Sequence, residues 1–162
     1  DTMIRVNQIW KHPIYQEQLQ ALQMLEADRK FCRHTPEHFL DVARLMYIYS
    51  VEQELSISKE VIYAAAFMHD IGRIDQIEKG IPHEMAGAAL CDRILPDCGF
   101  AKEEISLIKD FILHHRIKDT GADTPLYEML YWADKKSRNC FACAAQAECN
   151  WDRQKMNLEI DY

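Results

Sequence analysis

An all-α fold is the architecture this sequence predicts. Its apolar residues recur at helical spacing, no stretch alternates apolar and polar residues as a half-buried strand would, and the chain holds only five Gly and five Pro. Two Thr-Pro pairs, Thr35-Pro36 and Thr124-Pro125, add the mark of a helix start. A hydroxyl there can cap free N–H groups, and the ring that follows has a φ suited to the first turn. At 162 residues the chain is long enough for one domain with a full core, expected over 1–162 with its centre in about 30–140.

The elements follow in order. A first helix is expected from Ile14 to Arg29, with Leu19, Leu22 and Leu25 at helical spacing. A second starts at Thr35-Pro36, with Leu40, Val42, Ala43, Met46 and Tyr47 on its apolar side and His38 in its first turn. A third opens at Ser58-Lys59 and runs through VIYAAAFMHD, apolar on nearly every face and therefore the expected buried centre. Ile71-Gly72 ends it, because Gly permits the backbone turn that stops a helix. Arg73 to Pro82 is polar and reads as a loop. HEMAGAALCDRIL is a fourth helix, opened by His83 and with Gly87 placed for close packing. A turn over Pro96 to Gly99 leads to a fifth helix, Ala101 to His115, with Ile105, Ile108, Phe111 and Ile112 on one stripe. The sixth runs from Thr124-Pro125 through YEMLYWADKKSR. The tail, Asn139 to Tyr162, is Cys-rich at first and receives no element.

Composition narrows the function. With 48% apolar and 28% charged residues the chain reads as soluble and globular. A net charge of −7 argues against a surface that coats nucleic acid, so an anionic substrate would need local positive charge from a metal or from clustered Arg and Lys. No run of 18 apolar residues exists, so no transmembrane helix is expected, and the N-terminus lacks a signal-peptide pattern. The six Cys are not distributed like a small disulfide scaffold and read as thiols or metal ligands of a cytoplasmic protein. Cys140, Cys143 and Cys149 lie close enough in sequence to be considered for a thiolate metal site.

The chemistry lies in His38, His69-Asp70, His83, His115 and Asp134. Imidazole and carboxylate together are the usual ligands of Zn, Fe, Mn and related divalent ions. Adjacent residues on a helix are roughly 100° apart. His69 and Asp70 would therefore serve one metal from a helix end, or Asp70 would reach a second. Asp134 sits among Tyr131, Trp132 and Ala133, where an unpaired carboxylate is costly and a metal would be one partner.

The series His38, His69-Asp70, Asp134, in HFLDVAR, AAAFMHDIGR and YWADKKSR, resembles the metal ligands of the HD-domain superfamily of phosphohydrolases. Arg73 stands where the family pattern usually has Lys. His83, in HEMAGAA, and His115, in FILHH, resemble members with two metals. Among these are the bacterial dinucleoside tetraphosphate hydrolases, which share the HxxxGA and ADK elements. The resemblance covers about residues 30 to 140. It implies an HD-type helical bundle with the metal site at its centre. His38, His69, Asp70 and Asp134 would hold a first divalent ion, and Asp70 would bridge to a second held by His83 and His115. The ions would be one or two of Fe, Mn, Ni, Co, Zn or Mg, and hydroxide formed on them would attack phosphorus. The substrate would be a small phosphorylated molecule, a nucleotide or another phosphoester or phosphoanhydride. Asp70 and Arg73 would act in catalysis, and Arg73, Lys135 and Arg138 would bind the phosphoryl group, as guanidinium and ammonium groups do.

Other readings stand beside this one. HD-fold di-iron oxygenases share all six ligands, which makes oxygen activation a second expectation, and a metal-stabilised regulatory module a third. Arg73, Lys135 and Arg138 would otherwise be a solvated basic edge. His114 competes with His115 as a ligand. His34, one turn before His38, reads as a residue beside the ligands, on the substrate side, or as an exposed one, and His12 has no partner in the sequence.

Overall fold

The computed structural model describes the backbone of residues 1–114 and 124–162, and the side chains of 1–114 and 128–162. The chain runs through α1 (Ile4–Lys11), α2 (Pro13–Leu25), α3 (Pro36–Glu52), α4 (Lys59–Met68), α5 (Arg73–Lys79), α6 (His83–Ile94), α7 (Lys102–His114) and α8 (Thr124–Lys136), with short 3-10 turns at Pro96–Cys98, Cys140–Ala142 and Gln146–Glu148. Among the described residues there is no strand, as the sequence predicts. No helix among them is long and apolar enough to cross a membrane.

Helix α4 is the axis of the fold. Every residue from Val61 to Met68 is buried, because the helix is apolar all round and meets a neighbour on each side. It packs against α1, α3, α6 and α7, while α8 closes over α3 and α7. One buried cluster runs through these helices, with Phe39, Val42 and Met46 of α3, Leu90 and Ile94 of α6, Ile108, Phe111 and Ile112 of α7, and Met129, Leu130 and Ala133 of α8. The stripe predicted for the fifth helix is the face that α7 buries.

Three differences from the sequence reading have physical causes. A helix that the sequence reading left out, α1, precedes the first predicted one, which is α2 and begins at Pro13 directly after His12. That residue caps α2 by accepting the Ile14 N–H at its Nδ1 and sets its Nε2 2.8 Å from Asp97. Helix α1 buries only Val6 and Ile9, too few positions for a visible period. The segment read as a polar loop from Arg73 carries α5, which buries Ile74 alone and ends at Gly80 in the left-handed region, φ 71°. Leu25, expected on the apolar stripe of the first helix, is exposed at the end of α2.

The tail is tied to α8 by polar contacts, which leave no period in a sequence. Asn157 Nδ2 donates to the carbonyls of Lys135 and Arg138 at 2.8 Å each, and Phe141 N–H donates to Asn157 O. Tyr162 stacks edge-on against Trp132 and donates its hydroxyl to Glu52. All six cysteines carry free thiols.

Gly72 marks the closest approach of two segments. A Cβ there would lie 2.5 Å from both the Gly87 backbone nitrogen and the His83 backbone oxygen. Its φ of −82° suits any residue. Glycine is therefore required for space against α6, which replaces the sequence reading of a residue chosen to turn the chain. Gly87 supplies the other half of the contact, since a Cβ on it would stand 3.3 Å from the Met68 carbonyl. Gly72→Ala is expected to cost roughly 1–3 kcal/mol, as overpacking against backbone does. Urea unfolding measures it, and a midpoint equal to wild type would refute this packing.

Arg5 fastens α1 to α4 and α7. Its Nε donates to Glu60 at 3.0 Å, its Nη atoms to Glu104 at 2.7 and 3.0 Å, and its guanidinium lies 4.4 Å from the centre of the Phe100 ring. The hydrogen bond from Arg5 holds the Glu104 carboxyl below its usual 4.5, against a smaller opposing effect of burial. A depressed carboxyl stabilises the fold above its unfolded pKa and loses that contribution as pH falls through its folded pKa. Arg5→Ala is therefore expected to destabilise the protein near pH 7, by about 1 kcal/mol for this partly exposed pair. The difference from wild type should shrink once pH drops below 4.5. Paired urea melts at the two pH values test this, and a difference that does not change with pH would refute it.

Candidate metal centre

Three local structures deliver the predicted ligands. Thr35 caps α3 by accepting the His38 N–H at 3.2 Å, with Pro36 in the first turn, and this sets His38 at the helix start. His69 and Asp70 follow the last residue of α4, where the buried helix gives way to a turn that leads to Gly72. Asp134 lies in the last turn of α8, which packs along α3. His38, His69, Asp70 and Asp134 each offer a donor atom, and these atoms all lie within 4.8 Å of one another. The four residues predicted for a first metal are thus brought together.

The cluster converges on Asp70, which is 1% exposed. Its Oδ2 lies 2.8 Å from His69 Nε2, 3.6 Å from His38 Nε2 and 4.0 Å from His34 Nε2. Its Oδ1 accepts from Arg73 Nε at 3.1 Å and stands 3.9 Å from His83 Nε2. Asp134 Oδ1 is 3.1 Å from His38 Nε2 and 3.5 Å from His69 Nε2.

Each imidazole is oriented from behind through Nδ1. His69 Nδ1 donates to the Ala66 carbonyl at 2.5 Å. His38 Nδ1 is 3.2 Å from Ser137 Oγ, whose own proton goes to the Asp134 carbonyl, so the ring donates and the hydroxyl accepts. His83 Nδ1 donates to Gln76 Oε1 at 3.0 Å. His34 Nδ1 meets Glu26 Oε2 at 2.6 Å, and the same carboxylate takes the His34 backbone N–H. With Nδ1 occupied, every ring turns Nε2 toward the Asp70 carboxylate, the arrangement that metal-binding histidines adopt.

The electrostatics match the geometry. Burial alone would raise the Asp70 carboxyl, but the charge on His69 and the nearness of the His38 and His69 rings outweigh it and hold Asp70 well below the usual range. Asp134 is held low in the same way, with Asp70 opposing. Burial likewise pushes His69 down, yet the charge on Asp70 and the contacts with Asp134 hold it up, at about 10. His34 is pushed down to about 4, first by burial and then by the charge on Arg73, against the pull of Asp70 and Glu26.

The donor set fits a divalent ion. A buried carboxylate, Asp70, and a half-buried one, Asp134, carry two negative charges and are joined by imidazole nitrogens, a mixture that suits Zn, Fe, Mn and their neighbours. Asp70 Oδ2 is buried and, among the described residues, receives no donor with hydrogen-bond geometry, although three imidazole nitrogens lie within 4.0 Å. A buried carboxylate oxygen in that state is costly, and a cation at the same point would remove the cost.

The remaining predicted residues divide. His83 is fully buried at the start of α6, and its Nε2 approaches Asp70 Oδ1 rather than the Oδ2 that His38 approaches. His115 lies outside the described residues. His114 is described, and its Nδ1 bonds the Asp110 carbonyl of its own helix at 2.7 Å. Arg73, Lys135 and Arg138 line one cleft together with Asp134 and His34. There Lys135 Nζ is 3.8 Å from Asp134 Oδ2, and Arg138 donates to the Arg33 carbonyl. Cys140, Cys143 and Cys149 do not form a metal-holding group among the described residues. The sequence reading missed the residues that orient the rings: Glu26, Gln76 and Ser137. Only Ser137 carried a signal, lying one turn after Asp134 on the same helix face.

Comparison with known proteins bears on the fold and on the family. The HD domain family model matches residues 35–145. An uncharacterized protein of Clostridium beijerinckii is 41% identical over 160 residues, 99% of this chain and the whole of that protein. A crystal structure of a predicted HD superfamily hydrolase from an uncultured Thermotogales bacterium superposes with a TM-score of 0.55 at 21% identity, covering 75% of this chain and 66% of that one. At that identity the likeness is one of fold.

Ser137→Ala removes the hydroxyl behind His38 while leaving every candidate ligand in place. Affinity for Mn(II), measured by isothermal titration calorimetry, is expected to fall about 10- to 100-fold. Wild-type affinity in a folded Ser137→Ala protein would show that the hydroxyl does not support the site.

Proposed function

Because this chain belongs to the HD domain family, we propose that it is a metal-dependent phosphohydrolase that cleaves a nucleotide or another small phosphoester or phosphoanhydride. The observation that carries the reading is the joining of two features. Donor atoms of His38, His69, Asp70 and Asp134 gather within 4.8 Å, and Asp134 also lines a cleft with Arg29, Arg73, Lys135 and Arg138. Four cations in one cleft of a chain with net charge −7 mark it as a place for an anion.

His38, His69, Asp70 and Asp134 would hold one divalent ion, and Asp70 with His83 and His115 a second. Such ions, when bound, supply Lewis acidity toward phosphoryl oxygens and make water a nucleophile near neutral pH. The chain's own residues do the rest. Arg73, fixed through Nε to Asp70, directs the remainder of its guanidinium at a phosphoryl oxygen, where charge grows as the bond to the leaving group breaks. Lys135 and Arg138 neutralise the other oxygens. His34 is neutral near pH 7 and donates its Nδ1–H to the Glu26 carboxylate, so Nε2 is a bare acceptor 4.0 Å from Asp70 Oδ2. It is placed to receive a proton from the attacking water.

Phosphate release across a panel of nucleotides and phosphoesters, with Mn, Co, Ni, Zn, Mg or Fe added, tests the reading. Asp70→Ala is expected to abolish release. Arg73→Ala should lower kcat/KM by the equivalent of roughly 1.5–3 kcal/mol, the worth of a charged hydrogen bond. Glu26→Gln should lower kcat more than it raises KM. A folded Asp70→Ala protein with full activity would refute the site. A metal-loaded wild type that releases no phosphate but consumes oxygen with an organic substrate would replace hydrolysis with oxygenase chemistry.

A further inference from the structure

The cleft beside the metal cluster has two kinds of lining. Arg73, Asp134, Lys135 and Arg138 lie within the part of the chain that matches the HD domain, residues 35–145. Arg29, Phe31, Asn150 and Trp151 lie outside it, on the segment before α3 and on the tail. Two contacts hold these outer segments at the cleft: an ion pair between Lys30 and Glu148 joins one to the other, and Arg138 donates to the Arg33 carbonyl. The shared fold therefore supplies the side of the cleft next to the metal cluster, and the flanking segments supply the rest.

The chemistry of those flanking residues is specific. Trp151 is half-buried in the cleft wall, with Lys155 Nζ 4.5 Å and Lys135 Nζ 5.9 Å from its ring centre. Phe31 adds a second aromatic side chain to the lining and Arg29 a further guanidinium. An aromatic face set among cations accepts a ligand that joins a flat ring to an anionic group, since stacking and ion pairing act on the two parts of one ligand. A phosphoester with an aliphatic remainder would leave the aromatic side chains unused.

We propose that Trp151, with Phe31, binds the ring of a nucleoside polyphosphate whose phosphates lie along Arg29, Lys135 and Arg138, so that the flanking segments determine substrate choice. The proposal rests on the phosphohydrolase reading and narrows it to phosphoanhydrides of nucleosides.

Calorimetric binding to the Mn(II)-loaded full chain tests it without turnover. The probes are β,γ-methylene ATP, which has the ring, and methylenediphosphonate, which does not. Wild type is expected to bind the nucleotide analogue about tenfold or more tighter than the ringless one. Trp151→Ala should erase most of that preference, Trp151→Phe should restore it, and neither should change binding of methylenediphosphonate. Equal affinity of wild type for the two probes, no binding of the nucleotide analogue, or a preference that survives Trp151→Ala would each overturn the inference. Phosphate release separates the two claims. Hydrolysis without ring preference leaves the hydrolase reading standing alone. Ring-dependent binding with no phosphate release from any substrate overturns hydrolysis while the ring site stands.

Discussion

A carboxylate that is 1% exposed must be met by charge and by donors, and at Asp70 that demand reaches across most of the fold. Its two oxygens face Nε2 of four imidazoles and Nε of one guanidinium, from the segment before α3, the start of α3, the end of α4, the start of α5 and the start of α6. Every one of these groups sits at or beside a helix end. Helix ends can approach one point more closely than helix sides, whose axes stay about 8–10 Å apart. The bundle is thus built so that its ends, rather than its faces, meet at the charged centre. The apolar contacts of α4 hold those ends in register.

The same demand explains why the rings are so firmly held. An imidazole free to turn would offer either nitrogen. Here Ala66, Ser137, Gln76 and Glu26 each take one, and the other is left for the centre. Two of these partners are neutral side chains, one is a backbone carbonyl and one is a carboxylate. The carboxylate lies behind His34, which separates that ring from the other three in kind. A carboxylate partner makes an imidazole a stronger proton acceptor, while neutral partners only aim it.

What the sequence made legible follows from how local each signal is. His38 could be placed because Thr35 and Pro36 fix the helix start within three residues of it. Asp134 stood out because a carboxylate among Tyr131, Trp132 and Ala133 has few ways to be satisfied. His69-Asp70 was visible at the end of the apolar run of α4. Contacts that depend on distant pairing left no trace. Glu26 and His34 are joined across a helix end and a loop, and Asn157 reaches α8 from an irregular tail. Helix α5 buries one apolar side chain, so it has no period to read. Gly72 was noticed for the right position and the wrong reason, because crowding against His83 and Gly87 is invisible until both segments are placed.

The pairing of His38 with Asp134 spans 96 positions of chain. Closing so long a loop carries an entropic cost, and the contacts of Asp134 do not repay it until α8 has docked on α3. Refolding should therefore build the α3–α4 pair early and complete the charged centre late. The reverse order holds on the way out. If α8 lifts from α3, Asp134 leaves His38 and His69, while Asp70 keeps the imidazoles and the guanidinium that other segments hold against it. The fourth donor of the cluster then departs together with the buried side chains of Met129, Leu130 and Ala133, so how long the centre stays complete depends on how rarely that one helix detaches.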